Sequence, residues 1–327
     1  MVLPTVSFVG AANAVAARAA PGVLRRRPAH AQPERGTPRG RAHPATRAVL
    51  VLHYGGHPGD IENIAALCRD RGVPLIEDAA CAVASRASGT ACGTFGDIGL
   101  WSFDPMKILV TGDGGMLYAR EPELARRAAE RAYLGLRQAS GYAQAATRPR
   151  WWDFQVGPFG RRSITNDIAS AIGTAQLEKL PSFVRRRAEI THWYDGRLEG
   201  SRGCAAAPPP PAHESSYYFY WTQMDRRIRD EVATRLYRRG IYTSFRYAPL
   251  HLVGAYGPRP PLPGAERAAA ETLCIPLHQG LDDTSSTRSP PNCAPPSPRR
   301  ANGRGSRRPR RPDRPDDPDG KEMLRWA

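Results

Sequence analysis

A chain of 327 residues carrying a net charge of +16 can bury a substantial core in one large or two medium domains, and its charge raises the question of a nucleic-acid or membrane partner. The distribution of that charge answers against both. Residues 17–47 hold eight Arg against Glu34, and residues 283–327 hold eleven Lys/Arg against six acids, so 12 of the 16 charges lie in Pro/Ala/Arg-rich text.

Neither basic stretch has apolar periodicity or the interleaved aromatics of a base-stacking surface, so both read as solvated, poorly ordered sequence, with a basic nucleic-acid-binding protein kept as a third reading. No apolar run approaches the ~20 residues of a membrane span. The Ala-rich start, residues 1–17, has its positive charge after it instead of before it, which argues against a secretory signal. Six cysteines without a CxxC pair argue against structural zinc or a disulfide framework and suit a reducing cytoplasm.

In chain order, residues 48–53 read as a buried strand, followed by a Gly-rich turn. Asp60 caps a helix whose apolar face includes Ile61, Ile64, Ala65 and Cys68, and Gly72 ends it. Residues 73–76 form a second strand, best paired parallel to the first. Further strands are expected at 98–103 and 115–119, and a charged amphipathic helix at 121–136. Residues 138–160 read as an irregular connection. A core-facing helix follows from Asn166 or Asp167 to Leu180, with more helix at 183–198. After the Pro208–Pro211 run, a strand at 217–223, a helix at 230–239 and a strand at 241–246 suggest a smaller α+β domain. The class is α/β.

Three residues fall at or just after strand ends, where ligands collect in an open parallel sheet. Asp78 follows Glu77 at the end of the apolar strand Val73-Pro74-Leu75-Ile76, and Ser102 and Lys107 flank Phe103-Asp104-Pro105-Met106. Each alone is an ordinary capping acid, hydroxyl or surface lysine. Together they match pyridoxal phosphate: an amine for its aldehyde, an anion for its ring nitrogen and a hydroxyl for its phosphate. His53 and His57, four apart near Asp60, do not make a metal site, because a turn with two glycines and a proline does not present them on one helix face. Gly112-Asp113-Gly114-Gly115 lacks the Walker lysine and reads as a tight turn beside the cofactor.

Glu77-Asp78-Ala79-Ala80, Gly96-Asp97-Ile98-Gly99, Ser102-Phe103 with Lys107, and Gly112-Asp113-Gly114-Gly115-Met116 resemble the central signature of the DegT/DnrJ/StrS sugar aminotransferases, and weaker likeness runs from Leu3 to about Asp282. The resemblance implies the aspartate aminotransferase fold (fold type I): a three-layer sandwich on a mostly parallel sheet, with a smaller α+β C-terminal domain. It implies a partial cofactor domain at 1–17, a poorly ordered insert at 18–47, the large cofactor domain at 48–200, the small domain at 201–282 and a disordered basic tail at 283–327.

The function it implies is a pyridoxal phosphate-dependent transfer of an amino group from glutamate or glutamine to a nucleotide-linked keto sugar. Lys107 would be the catalytic amine and Asp78 the partner of the ring nitrogen. Ser102 would hold the phosphate, and Cys81 would lie near the ring hydroxyl where relatives often have Gln or His. Phe8 would stack on the ring, or else be an ordinary core phenylalanine. Arg162 would reach the phosphate of a neighbouring subunit, implying a homodimer, and Tyr247 and His251 would line the substrate pocket, His251 alternatively being structural. Residues 18–45 and those after Asp282 depart from the family pattern, and Met1 lies beyond the expected Gly-Thr phosphate turn. Those departures carry the expectation of frame errors in a G+C-rich coding sequence and, as an alternative function, a catalytically impaired or regulatory homologue.

Overall fold

A computed structural model describes residues 1–16, the backbone of 22–24, and residues 46–137, 150, 153, 155–198 and 212–282. Met1–Ala294 forms one unit, and a second, Pro295–Ala327, lies outside the described residues. So do most of the basic insert, residues 138–149, the Pro208–Pro211 run and the tail from 283.

The organising element is a six-stranded sheet. Its strands are β1 (Val2–Pro4), β2 (Gly22–Leu24), β3 (Val49–Leu52), β4 (Leu75–Asp78), β7 (Ile98–Ser102) and β8 (Gly115–Ala119), in the order β2-β1-β3-β4-β7-β8. All neighbours pair parallel except β7 and β8. Helix α1 (Val9–Ala16) follows β1, and α2 (Ile61–Asp70) makes the crossover from β3 to β4. Helix α2 buries Ile61, Ile64, Ala65 and Cys68 against Val49, Val51 and Leu75, the stripe that its apolar periodicity requires. Two-residue strands β5 (Arg86–Ala87) and β6 (Thr90–Ala91) pair with β9 (His213–Glu214) in a small separate sheet.

After α3 (Pro122–Ala132), one 32-residue helix, α4 (Asp167–Leu198), runs straight through Pro181. This differs from the two helices expected from the sequence. Proline removes one backbone hydrogen bond, but Leu180, Arg187, Ile190, Tyr194 and Leu198 are buried on either side of it, and that packing carries the helix through.

The remainder is an antiparallel pair, β10 (Tyr220–Gln223) and β11 (Thr272–Ile275), with α5 (Arg226–Tyr237) and α6 (Pro263–Glu271). Its core joins Tyr220, Met224, Leu236 and Leu273 to Ile190 and Tyr194 of α4.

Two further expectations need correction. Residues 241–246 make no strand and contribute a single bridge, Ser244 to Cys274; Tyr242 and Phe245 are exposed, so the apparent alternation does not bury one face. Within the insert read as poorly ordered, Gly22–Leu24 adds a short strand to the free edge of β1, because Val23 and Leu24 interrupt the Arg-rich text with a ladder-competent triplet.

Candidate functional site

Strand β4 ends in two adjacent acids whose side chains leave opposite faces, and the structure gives them opposite environments. Glu77 is wholly buried. It accepts from His53 Nε2 at 2.9 Å, from the Gly93 N–H at 2.7 Å and from the Gly96 N–H at 2.6 Å. His53 also faces the Pro58 carbonyl through Nδ1 at 3.2 Å. Glu77 and the Pro58 carbonyl present acceptors to the two ring nitrogens, an arrangement that favours the imidazolium. Burial opposes that charge, yet Cys92 and Glu77 raise His53 well above its usual value, and His53 with the two glycine N–H groups holds Glu77 below the usual carboxylate range.

Asp78 is less well provided for. Among the described residues its carboxylate accepts one hydrogen bond, from the Ala80 N–H at 3.1 Å. Burial raises it above the ordinary aspartate value, while Ala80, Lys107 and His53 pull it down. A low-dielectric carboxylate with so few donors favours a cationic partner.

Lys107 closes a turn after β7. Its N–H donates to the Asp104 carbonyl at 2.9 Å, the Met106 N–H donates to Asp104 Oδ1 at 2.8 Å, and Ile108 and Leu109 anchor the turn in the core. Ser102, the last residue of β7, is half-buried and receives the Asp104 N–H at 3.4 Å. Gly112 has φ of +86°, the left-handed conformation that turns the chain back into β8.

The Lys107 amine lies 5.0 Å from the centre of the Tyr218 ring. Arg246 Nη1 donates to the Tyr218 hydroxyl at 3.4 Å. Burial raises the Tyr218 phenol, with Lys107 and Arg246 opposing. Tyr247 hydrogen-bonds Cys81 and Arg246, and burial pushes its phenol far up and the Cys81 thiol up to about 11. Tyr54 packs edge-on against Phe219 and Trp221, and its hydroxyl donates to the Arg246 carbonyl. The structure thus brings Asp78, Cys81, Lys107 and Tyr247 into one electrostatic cluster and adds Tyr218, Arg246 and Tyr54, which sequence reasoning missed. The aromatic run Tyr217-Tyr218-Phe219-Tyr220-Trp221 was the available signal.

Phe8 follows β1 and is 59 % exposed, with its ring centre 6.1 Å from that of Tyr247. It is therefore no ordinary core phenylalanine. His251 is buried and has both ring nitrogens engaged, Nδ1 with Thr5 Oγ1 at 2.7 Å and Nε2 with Glu266 Oε1 at 3.0 Å. Those bonds tie the residue that follows β1 to α6. Arg162 is exposed, bridges Tyr133 through the backbone and holds its guanidinium 5.9 Å from that ring. Among the described residues nothing joins it to the Lys107 cluster within this chain. No group of three metal-ligating side chains occurs among the described residues, and His53 is committed to Glu77.

The donor set fits pyridoxal phosphate on the chain's own terms. Asp78 lacks a full set of partners for its charge, a primary amine shares its cluster, a hydroxyl ends the next strand, and an aromatic ring stands exposed beside Tyr247.

Comparison with known proteins agrees with this chemistry. The model of the DegT/DnrJ/EryC1/StrS aminotransferase family matches residues 1–288. A dTDP-4-dehydro-2,3,6-trideoxy-D-glucose 4-aminotransferase of Saccharopolyspora spinosa is 53% identical over 285 residues, covering 86% of this chain and 74% of that protein. A dTDP-3-amino-3,4,6-trideoxy-alpha-D-glucose transaminase of Streptomyces venezuelae is 30% identical over 251 residues, 75% of this chain and 62% of that protein. The crystal structure of the aminotransferase TlmJ from Streptoalloteichus hindustanus superposes with a TM-score of 0.82 at 58% identity, covering 88% of this chain and 76% of that one. The chain thus spans about three-quarters of two of these relatives and under two-thirds of the other.

Proposed function

The chain belongs to the DegT/DnrJ/EryC1/StrS aminotransferase family, and we propose that it transfers an amino group from glutamate or glutamine to a nucleotide-linked keto sugar. The family depends on pyridoxal phosphate. The observation that carries the reading is that one half-buried cluster holds an under-satisfied acid at the end of β4 within the electrostatic reach of the Lys107 amine. The relative at 53% identity bears the name of a dTDP-linked 4-keto-hexose aminotransferase, and we take a dTDP-4-keto deoxyhexose as the substrate class.

When bound, pyridoxal phosphate supplies an aldehyde that takes up amino groups and a cationic ring that draws electrons from the bond being broken. The chain supplies the rest. Lys107 Nζ is the amine that anchors the cofactor, and when released it takes and returns a proton as a general base and acid. The Asp78 carboxylate would accept the ring N–H and keep that nitrogen charged. Ser102 Oγ would donate to the phosphate, and Phe8 would cover one ring face. Cys81 would lie near the ring hydroxyl as a weak hydrogen-bond partner. Tyr247 lines the pocket, and the wall of Tyr54, Phe219 and Trp221 excludes water. Such exclusion strengthens each charge interaction inside the site.

A homodimer completes this reading. Ile168, Ile172 and Leu177 are exposed along α4, and Phe159 just before it is 93 % exposed. A second copy would cover these side chains, and Arg162 would then reach the partner's phosphate, where a guanidinium binds as a fork. The four buried free thiols among the described residues suit a cytoplasmic setting, and no described helix is long and apolar enough to cross a membrane.

The test is borohydride reduction of the pure chain after incubation with pyridoxal phosphate, followed by peptide mapping. The expected adduct is on Lys107 and is absent in Lys107→Ala. A folded chain that takes up no cofactor, or takes it up at other lysines, overturns the assignment.

A further inference from the structure

The Lys107 side chain is a four-carbon stem on an irregular turn, and among the described residues no carboxylate forms an ion pair with it. What it meets instead is Tyr218, with Nζ 5.0 Å from the ring centre and the phenol hydroxyl as a hydrogen-bond partner. Tyr218 is 6 % exposed and packs in the core with Cys81, Ile108 and Leu109.

The backbone that presents Tyr218 is unusual. Tyr217 has φ of +50°, a conformation that a bulky side chain adopts only where the surroundings enforce it. The enforcing group is Arg187 of α4. Its Nη1 donates to the carbonyls of Tyr217 at 3.1 Å, Tyr218 at 3.0 Å and Leu277 at 3.0 Å, and its Nε donates to Gln279 Oε1 at 2.9 Å. Arg187 is 5 % exposed, and each of these partners is uncharged. Burying a guanidinium among neutral acceptors is costly, and burial pushes Arg187 down to about 10. From the other side, the Tyr218 N–H donates to the Gly55 carbonyl at 3.0 Å, and Arg246 holds the hydroxyl. Strain enforced from three elements and aimed at one lysine marks a positioned group rather than an incidental core aromatic.

We propose that Tyr218 is a positioning residue for Lys107, its ring and hydroxyl together holding the amine in place whenever Nζ is not bonded to the cofactor, and that Arg187 is the clamp that fixes Tyr218. The inference rests on Lys107 being the cofactor-binding lysine. A held amine returns to the same carbon sooner and carries the proton along a fixed path, whereas a free stem samples many rotamers. Substrate affinity is not part of the role.

The experiment follows two quantities in holoenzyme and in cofactor-stripped full-length chain: the rate at which added pyridoxal phosphate is captured at Lys107, read by absorbance and borohydride trapping, and kcat against KM for the amino donor. Tyr218→Leu removes the ring and is expected to slow capture and lower kcat about tenfold, within the reach of a cation–π contact, with KM within about twofold. Tyr218→Phe keeps the ring but loses the hydroxyl, and should fall between wild type and Tyr218→Leu in both. Arg187→Lys leaves ring and amine in place, loosens the clamp and should slow capture in the same direction, which keeps the proposal testable should Tyr218→Leu fail to fold. Capture and kcat per folded site equal to wild type in Tyr218→Leu or Arg187→Lys overturn the proposal. Failure of the wild-type chain to capture pyridoxal phosphate at Lys107 overturns the functional reading as well, so the two failures are distinguishable.

Discussion

Replacing Glu77 by Gln tests whether the floor of the site is an ion pair. Glu77 is fully buried and receives three N–H groups, from His53, Gly93 and Gly96. Glutamine keeps one acceptor oxygen and turns an NH₂ group toward donors, and it removes the carboxylate charge from beside the imidazolium, leaving only Cys92 to favour it. Removing one partner of a buried pair costs about 3–5 kcal/mol, a large part of the ~5–15 kcal/mol that holds a typical protein folded.

The pH dependence gives a second signature. Cys92 and Glu77, working against burial, raise His53 to about 10, so its contribution is complete below 6.5, its unfolded value, and disappears as pH climbs toward 10. Glu77 is depressed, so its contribution is present above its unfolded value of 4.5 and disappears as pH falls through the lower folded value. The pair therefore stabilises most between pH 4.5 and 6.5. Urea unfolding of wild type should show stability declining from pH 6.5 to 10, and Glu77→Gln should lose stability together with the share of that slope that Glu77 supplies, the share from Cys92 remaining. A loss below about 1 kcal/mol, outside the cost expected for breaking a buried pair, or an unchanged slope would refute the Glu77–His53 ion pair.

Three other outcomes are expected. A Cβ at Gly99 would lie 1.8 Å from the Gly93 carbonyl oxygen, so Gly99→Ala should destabilise by about 3 kcal/mol or more in the same urea assay. Because burial raises Asp78, cofactor affinity measured by fluorescence quenching should fall as pH drops through the Asp78 titration, and Asp78→Asn should bind weakly at every pH without that dependence. Sedimentation should find a dimer that Ile168→Glu with Ile172→Glu dissociates; Arg162→Ala should remain dimeric and bind the cofactor less tightly.

Local patterns carried much of this architecture. The apolar runs at β3, β4, β7 and β8 and the stripe of α2 are dictated by burial on a parallel sheet, so periodicity finds them. Asp78 and Lys107 stood out because each sits at a strand end. What was not legible depends on distant partners. The opposite fates of Glu77 and Asp78 follow from strand alternation, yet only the fold supplies His53 and the two glycine N–H groups. Tyr218, Arg246 and Arg187 meet from three separate elements, and neither their spacing nor their types signals that meeting. The strand expected at 241–246 failed because alternation without a buried face is no strand, and Pro181 did not end α4 because tertiary packing outweighed one lost hydrogen bond.

The central claim is amino transfer to a nucleotide-linked keto sugar. The direct measurement is incubation of the purified chain with pyridoxal phosphate, glutamate and a dTDP-4-keto deoxyhexose, with mass spectrometry of the nucleotide sugar. The account predicts a product in which nitrogen replaces the keto oxygen, formed with one 2-oxoglutarate per turnover and absent with Lys107→Ala. A chain that holds the cofactor on Lys107, yet leaves a series of such keto sugars unchanged with either glutamate or glutamine, would contradict it.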